Sequence, residues 1–441
     1  MNTIKSSEIT IFAFRMNTMF LNRIQTGLLL ALTSGLALAQ PSEQDLSNLG
    51  SRTITTAVPF LMISPDAKAG GYADQGVSTE PDANSMHWNV GKLALADKDM
   101  SIAVSYTPWL RQLVPDINLA YLGFYKKIGG RTCIGASIRY FSLGDITFTD
   151  NNGNTIGQYN PNEFAIDAGA SLKLSDHWSG GIAFRFIYSN LTLGQNVQGA
   201  ATNPGLAGAG DLGFFYQNPD KKLFKRPVTW RFGFSITNIG NKIKYSETQP
   251  DGDYIPINLR FGTSNTLQID KFNKITISLE LSKLMVPSNP VYERDSVTNN
   301  VVYGPDGKPV ILAGMDPNRN VIAGMFSSLW DSPAGFEGEM SEFTISSGAE
   351  YWYNNLFRAA FGFFYEPRVS GNRQYFTLGA GVRYKIFGLD FSYLIPTVQR
   401  NPLEHTVRFT LSFNFNSLKK KTSDGESTPK KGKNKAPINA N

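Results

Sequence analysis

Three histidines (His87, His177, His405) and one thiol (Cys133) are the side chains of this 441-residue chain best suited to nucleophilic, acid–base or metal chemistry. A hydrolytic Ser/His/Asp set needs an imidazole within hydrogen-bond reach of a hydroxyl and a carboxylate. A zinc site needs three or four ligands converging on one point. These four residues lie far apart, so any such set has to be assembled from distant elements. The chain contains no G-x-S-x-G, no P-loop and no H-E-x-x-H. Gly208–Gly213 does spell G-x-G-x-x-G, but it opens a strand pattern where phosphate cradling requires a helix N-terminus, so it reads as wall glycine. The expectation is no catalytic residue, no cofactor, no metal, and not an enzyme.

The elements that carry these residues repeat with period two. In 228–237, Val228, Trp230, Phe232, Phe234 and Ile236 alternate with Thr, Arg, Gly and Ser, and 407–415 does the same with Val407, Phe409, Leu411, Phe413 and Phe415. Ile134, Ile138 and Tyr140 follow suit, as do Ile182, Phe184 and Phe186. A soluble sandwich also alternates. Here, however, the large apolar face is almost free of charge while the other is Gly, Ser, Thr and Arg, too small and polar for a dry core. That is the inside-out pattern of a membrane barrel. Aromatics gather near segment ends, as at Tyr106 with Trp109, at Tyr351, Trp352 and Tyr353, and at Tyr384, which suits interfacial girdles.

Counting segments gives fourteen strands, at 98–107, 115–128, 131–141, 162–173, 177–189, 208–218, 227–239, 254–266, 271–284, 341–353, 356–367, 372–386, 389–396 and 403–415. Long connections (142–161, 190–207, 240–253, 285–340) alternate with tight ones such as Gly129-Gly130, Asn354-Asn355 and Phe387-Gly388; 219–226 is a basic turn of moderate length. The fold class is therefore all-β, a transmembrane antiparallel barrel of about fourteen strands. Its short turns and both termini are expected in the periplasm. Asn152-Gly153, Asp251-Gly252 and Asp306-Gly307 fall in the loops, where positive φ is needed.

Residues 1–39 carry Lys5, Arg15 and Arg23 ahead of an apolar run that ends at Ala37-Leu38-Ala39, the pattern of a signal peptide, with Gln40 as the new N-terminus. Residues 40–97 do not alternate and, ahead of a lumen too wide for its own side chains, form an N-terminal plug or periplasmic cap; the filling argument favours the plug. Its named residues are Pro59, Phe60, Asp82, Asn84, His87, Trp88 and Asn89. The barrel takes 98–415, and 416–441 is a Lys-rich periplasmic tail with almost nothing to bury. The formal charge of +6 resides in the two ends, leaving about −1 for the body, so there is no footprint for nucleic acid.

By alternation the lumen receives Arg139, Asp167, Arg185, Arg231, Arg260, Glu280, Glu350, Arg358, Glu366, Arg383, Asp390 and Arg408. Charges in a narrow interior must be paired or hydrated. A cross-lumen network that stiffens the barrel is the expectation, ahead of an ion-selective pore.

Four stretches, Ala57–Gly71, Pro81–Asn89, Ser105–Tyr121 and Arg139–Thr149, resemble the PorV (LptO) family of the type IX secretion system of the Bacteroidetes, a branch of the FadL-like barrels. The departures are Asn89-Val90-Gly91, where the family commonly has Asn-Pro-Ala, and a longer Lys-rich tail. The resemblance implies an outer-membrane component that binds a giant translocon barrel, takes client proteins by their C-terminal domains, and delivers them to the surface attachment complex and its sortase. Outer-membrane lipids are the remaining partner. Exposed apolar residues of the external loops are the expected partner contacts: Trp109 and Leu110 in the first, Leu191, Leu193 and Leu206 in the third, and Phe326, Leu329, Trp330 and Phe336 in the fifth. Two alternatives stay open, a FadL-like transporter of hydrophobic small molecules and a lipid A deacylase.

Overall fold

A computed structural model describes residues 53–416, apart from 112–113, 115, 150–151, 195–200, 224, 250 and 399–400. The leader and the Lys-rich tail expected at the two ends lie outside the described residues.

The strands in chain order are β1 (Met100–Pro108), β2 (Asn118–Ile128), β3 (Thr132–Ser142), β4 (Ile146–Thr149), β5 (Thr155–Tyr159), β6 (Asn162–Lys173), β7 (Trp178–Asn190), β8 (Gly205–Leu223), β9 (Arg226–Gly240), β10 (Asn258–Gln268), β11 (Asn273–Leu284), β12 (Val291–Tyr292), β13 (Ile311–Ala313), β14 (Phe343–Tyr353), β15 (Phe357–Tyr365), β16 (Gln374–Tyr384), β17 (Phe387–Pro396) and β18 (Val407–Phe415). Fourteen of them close into one antiparallel barrel, while β4–β5 and β12–β13 are small hairpins inside loops. Closure runs through β1 and β18, which pair from Met100↔Phe415 to Tyr106↔Phe409. A barrel has no open edge, the condition for placing strands in lipid.

All fourteen expected strands are present, because a half-exposed strand must alternate and the sequence shows it. Ile138, Ile182, Phe184, Phe261, Ile277 and Leu411 lie exposed on the outer face. On β7, exposure and burial alternate through Ile-Ala-Phe-Arg-Phe-Ile, from Ile182 to Ile187. Trp178, Trp230, Tyr353 and Tyr384 stand outward near the short-turn end, and Tyr106 and Tyr140 near the long-loop end, giving two aromatic girdles. Both barrel termini, Met100 and Phe415, lie at the short-turn end.

Some boundaries differ from the expectation. The 219–226 turn is mostly strand: β8 continues to Leu223 and β9 begins at Arg226, with register shifts near Asn218/Lys221. These residues are charged because they project past the apolar belt, so alternation could not reveal them. Phe387-Gly388 opens β17, and the turn is 385–386, with Lys385 at φ 55°. Asn354 and Asn355 carry φ of 53° and 52°, the two left-handed positions a type I′ hairpin demands.

The lumen is filled by residues 58–96. From the N-terminal side this plug runs through a 3₁₀ turn at Pro59–Met62, α1 (Ala67–Gly70), α2 (Ser85–Trp88) and a second 3₁₀ turn at Val90–Leu95. α1 packs on β16, β17 and β18, whereas Val90–Leu95 packs on β3, β6, β7 and β8. Loop residues 285–342 add α3 (Val321–Ser327) and α4 (Gly335–Ser341).

Candidate functional site

The plug is held to the wall by polar groups that sequence parity sends inward. Gly76 N–H and Val77 N–H donate to Glu280 Oε2 at 2.8 and 2.9 Å. Ala67 N–H donates to Thr410 Oγ1 (2.8 Å) and Ala73 N–H to Thr377 Oγ1 (2.9 Å). In the other direction the Ser264, Ser235 and Ser179 hydroxyls donate to the carbonyls of Ser78, Trp88 and Gly91. An irregular segment inside a membrane barrel has buried backbone groups that must find partners, and small hydroxyl residues on the wall provide them. Wall glycines let the two backbones touch. A Cβ on Gly213 would meet Asn89, and one on Gly233 would meet the Val77 carbonyl. Of the Gly208–Gly213 string, Gly213 is thus a close-approach glycine within β8, whereas Gly208 and Gly210 face no close neighbour.

Of the expected plug residues, Phe60, Asn84, His87, Trp88 and Asn89 are buried, Asp82 is half-buried, and Pro59 is exposed at the mouth. Asn89 braces the turn at Asn89-Val90-Gly91, where the family commonly has Asn-Pro-Ala: its Oδ1 accepts from Gly91 N–H (2.9 Å) and its Nδ2 donates to the Val77 and Phe214 carbonyls. Asp66, absent from that set, organises α1. It accepts from Ala69 N–H (2.8 Å) and the Trp88 indole (2.9 Å). Burial, with Asp82 adding to it, pushes Asp66 up to about 6. Burial and the Arg139 charge hold His87 well below the ordinary histidine value, so its neutral Nδ1 accepts from Arg139 at 2.6 Å.

All twelve expected luminal charges are buried except Arg383, which is half-exposed. Arg185 lies between Asp167 (2.5 Å) and Asp211 (3.0 Å). Arg358 bridges Glu350 and Asp390, Arg383 also holds Asp390 (2.6 Å), and Arg260 faces Glu280 at 3.7 Å. Glu366 pairs with Arg373 (2.7 Å) at the rim. Arg231 donates to Gln217 and Thr266, and the terminal nitrogens of Arg139 donate to the Leu61 carbonyl and His87. Arg408 reaches Asp74 of the plug at 2.9 Å. Asp211 and Asp74 were missed, the first in a Gly-rich strand where Phe215 also points inward, the second in a segment without period.

Two of the spaces among the described residues lie between plug and wall. One, about 420 Å³, opens at the short-turn end between plug and wall, bounded by Lys68, Glu80, Asp82, Asp97, Lys274 and Arg383 among others. The other is a water-sized void of about 20 Å³ deeper in, reached past Lys68 and Asp82, whose ion pair is 2.9 Å. Both are lined by charge.

The expected partner residues divide. Phe326, Leu329, Trp330 and Phe336 are exposed on the 285–342 loop, as are Ile322 and Met340 of the same loop. Leu110, Leu191 and Leu193 are half-buried. Trp109 is not a free loop residue: it packs against the Phe60, Leu61 and Leu119 cluster that seats the plug. Leu206 is part of β8, on its outer face. Trp352 does not join the girdle; it shares parity with Glu350, points inward, and donates to Glu350 Oε1 at 2.7 Å. The long loop is anchored by Lys283, missed by sequence because it shares parity with outward Leu279 and Leu281. It is fully buried, since α4 folds over that edge and brings Glu339 (2.9 Å) and Glu342 onto its ammonium.

His87 lies in the plug, His177 Nδ1 meets the Gln217 carbonyl at the short-turn end, and His405 Nδ1 meets the Tyr393 hydroxyl at the long-loop end. Cys133 is buried beside Met86, Leu93 and Tyr125. Among the described residues no His, Cys, Asp or Glu group is arranged to hold a metal.

A family model described as type IX secretion system protein PorV matches residues 46–291. No curated protein matches the chain in sequence. Solved structures that resemble it include the CymD monoaromatic hydrocarbon channel (14% identity, TM-score 0.42, 80% of this chain and 98% of that one). The Pseudomonas putida toluene transporter TodX (11%, 0.41, 83% and 100%) and a Pseudomonas aeruginosa FadL homologue (11%, 0.40, 83% and 100%) are similar to the same degree.

Proposed function

The chain belongs to the PorV family and is an outer-membrane component of the type IX secretion system, and from that premise we propose that it carries client proteins, held by their C-terminal domains, from a giant translocon barrel to the surface attachment complex and its sortase. The observation that carries this reading is the exposed apolar group Phe326, Leu329, Trp330 and Phe336, presented on a loop clamped to the rim, above a lumen the plug has filled. A filled lumen leaves the outside of the molecule to do the work, and bare aromatic and aliphatic side chains presented along one loop are what a protein partner covers. In this reading the short turns and both termini face the periplasm and the 285–342 loop faces outward.

A channel for small apolar molecules calls for an apolar passage, and these two spaces beside the plug carry Lys, Asp, Glu and Arg in their walls among the apolar side chains. A lipid A deacylase calls for a histidine beside a nucleophile at the outer rim, where His405 stands against Tyr393.

The test replaces Trp330 and Phe336 together by Ser in the otherwise intact chain. Barrel abundance in the outer membrane is expected to stay at the parental level while exported cargo accumulates in the periplasm. Normal export by this variant would remove the loop from the mechanism.

A further inference from the structure

The body's charge of about −1 conceals a strong local excess. Around the short-turn end, consecutive barrel strands β3, β6, β7, β8, β9 and β10 bring Arg131, Lys221, Lys222, Lys225, Arg226 and Lys271 onto one arc, all exposed. The acids in the same arc are Asp176, Asp220 and Asp270. Asp176 is taken by Lys173 at 2.8 Å, and Asp270 accepts from Phe272 N–H and Asn273 N–H of its own turn at 2.8 and 2.9 Å. Arg131 and Arg226 each spend part of their guanidinium on a backbone carbonyl, of Lys173 and Ile269 respectively, which fixes the group in place and leaves other N–H donors free.

The arc borders the outward-facing Trp178 and Trp230, which mark the depth where hydrocarbon gives way to headgroups. Bases immediately beyond such a girdle lie at phosphate height, and each adds to the attraction for an anionic lipid. The ends of β8 and β9 carry them past the apolar belt while staying paired to each other, from Lys221↔Val228 to Leu223↔Arg226.

We propose that this arc binds the phosphate headgroups of anionic phospholipids in the leaflet at the short-turn end, giving the barrel an anionic lipid collar on one side only. The proposal needs the barrel to span a bilayer and does not depend on its role in secretion.

Tryptophan fluorescence tests it directly. Of the six tryptophans, Trp88 and Trp352 are buried in the lumen, Trp109 packs against the plug and Trp330 stands in the long loop, which leaves Trp178 and Trp230 to meet acyl chains. The full chain is reconstituted in vesicles mixing dibromo-phosphatidylglycerol with plain phosphatidylcholine, and in the converse mixture, and quenching gives the relative affinity of the two lipids at those tryptophans. The expected ratio favours phosphatidylglycerol about threefold or more at low salt and falls toward one at high salt. Replacing Lys221, Lys222 and Lys225 by Gln is expected to reduce the ratio, whereas Lys385→Gln, on the far side of the rim, leaves it unchanged. Circular dichroism confirms that each variant keeps its strands. A ratio near one for the parental chain at low salt overturns the proposal. So does a ratio that the triple replacement leaves untouched, and in that case the arc faces a soluble acidic partner instead.

Discussion

Replacing Lys283 by Met would release the 285–342 loop from the rim without unfolding the barrel. The ammonium is fully buried and carries two carboxylates, Glu339 at 2.9 Å and Glu342, themselves 7% and 8% exposed. Glu342 also accepts from the Ser288 hydroxyl (2.6 Å), and Glu339 from Ser332 N–H (2.7 Å), so the pair sits at the centre of the loop's polar anchor. Removing one partner of a buried pair leaves an uncompensated charge and costs about 3–5 kcal/mol. The loop need not bear that cost: its carboxylates can regain water by lifting α4 off the wall. The loss therefore appears as local opening, and at ~1.4 kcal/mol per decade it amounts to roughly a hundredfold or more in protection. Hydrogen exchange read by mass spectrometry over 321–341 is the assay, with β14 and β15 as internal reference. The expected result is fast exchange in α3 and α4 with the reference strands unchanged. Equal protection in the variant and the parental chain would refute the claim that this clamp positions the loop.

Arg185→Met strands Asp167 and Asp211 in the wall, so the denaturant midpoint should fall by the equivalent of about 3–5 kcal/mol, and adding Asp167→Asn with Asp211→Asn should recover most of it; no shift in the single variant would contradict the network. Gly233→Val places a side chain against the Val77 carbonyl, an overpacking of about 1–3 kcal/mol that should push the plug aside and give ion conductance in planar bilayers where the parental chain is silent; a silent variant of unchanged stability would contradict the fit. Burial, with smaller contributions from Glu339 and Glu342, raises Asp331 to about 6 from an ordinary 3.8. The docked loop then holds a proton that the undocked loop releases, so docking is strongest below about pH 4, weakens as pH rises to about 6, and is level above. Asp331→Asn should abolish that slope in the same exchange experiment.

The wall was legible because lipid outside and polar plug inside impose opposite demands on alternate residues. Phe184 and Arg185 therefore announce their faces from the sequence alone. Where one demand lapses, legibility lapses too. Lys221 and Lys222 project beyond lipid, and nothing in their pattern marks a strand. Lys283 has outward parity and is buried only because a loop returns over it, and Asp74 sits in a plug without period. Trp352 was misplaced for a different reason, since grouping it with Tyr351 and Tyr353 as an aromatic cluster overlooked the parity it shares with Glu350. The partner-facing residues were legible as a kind, apolar and in long loops, but not individually. Trp109 and Trp330 look alike in sequence, and only the fold sends one onto the plug and leaves the other bare.

The most direct measurement of the central claim is affinity purification of the tagged full chain from detergent-solubilised outer membranes, with mass-spectrometric identification of what comes with it. The account predicts a very large barrel together with exported proteins that retain their C-terminal domains, both lost when Trp330 and Phe336 are replaced by Ser. A chain that purifies alone from cells actively exporting cargo would contradict it.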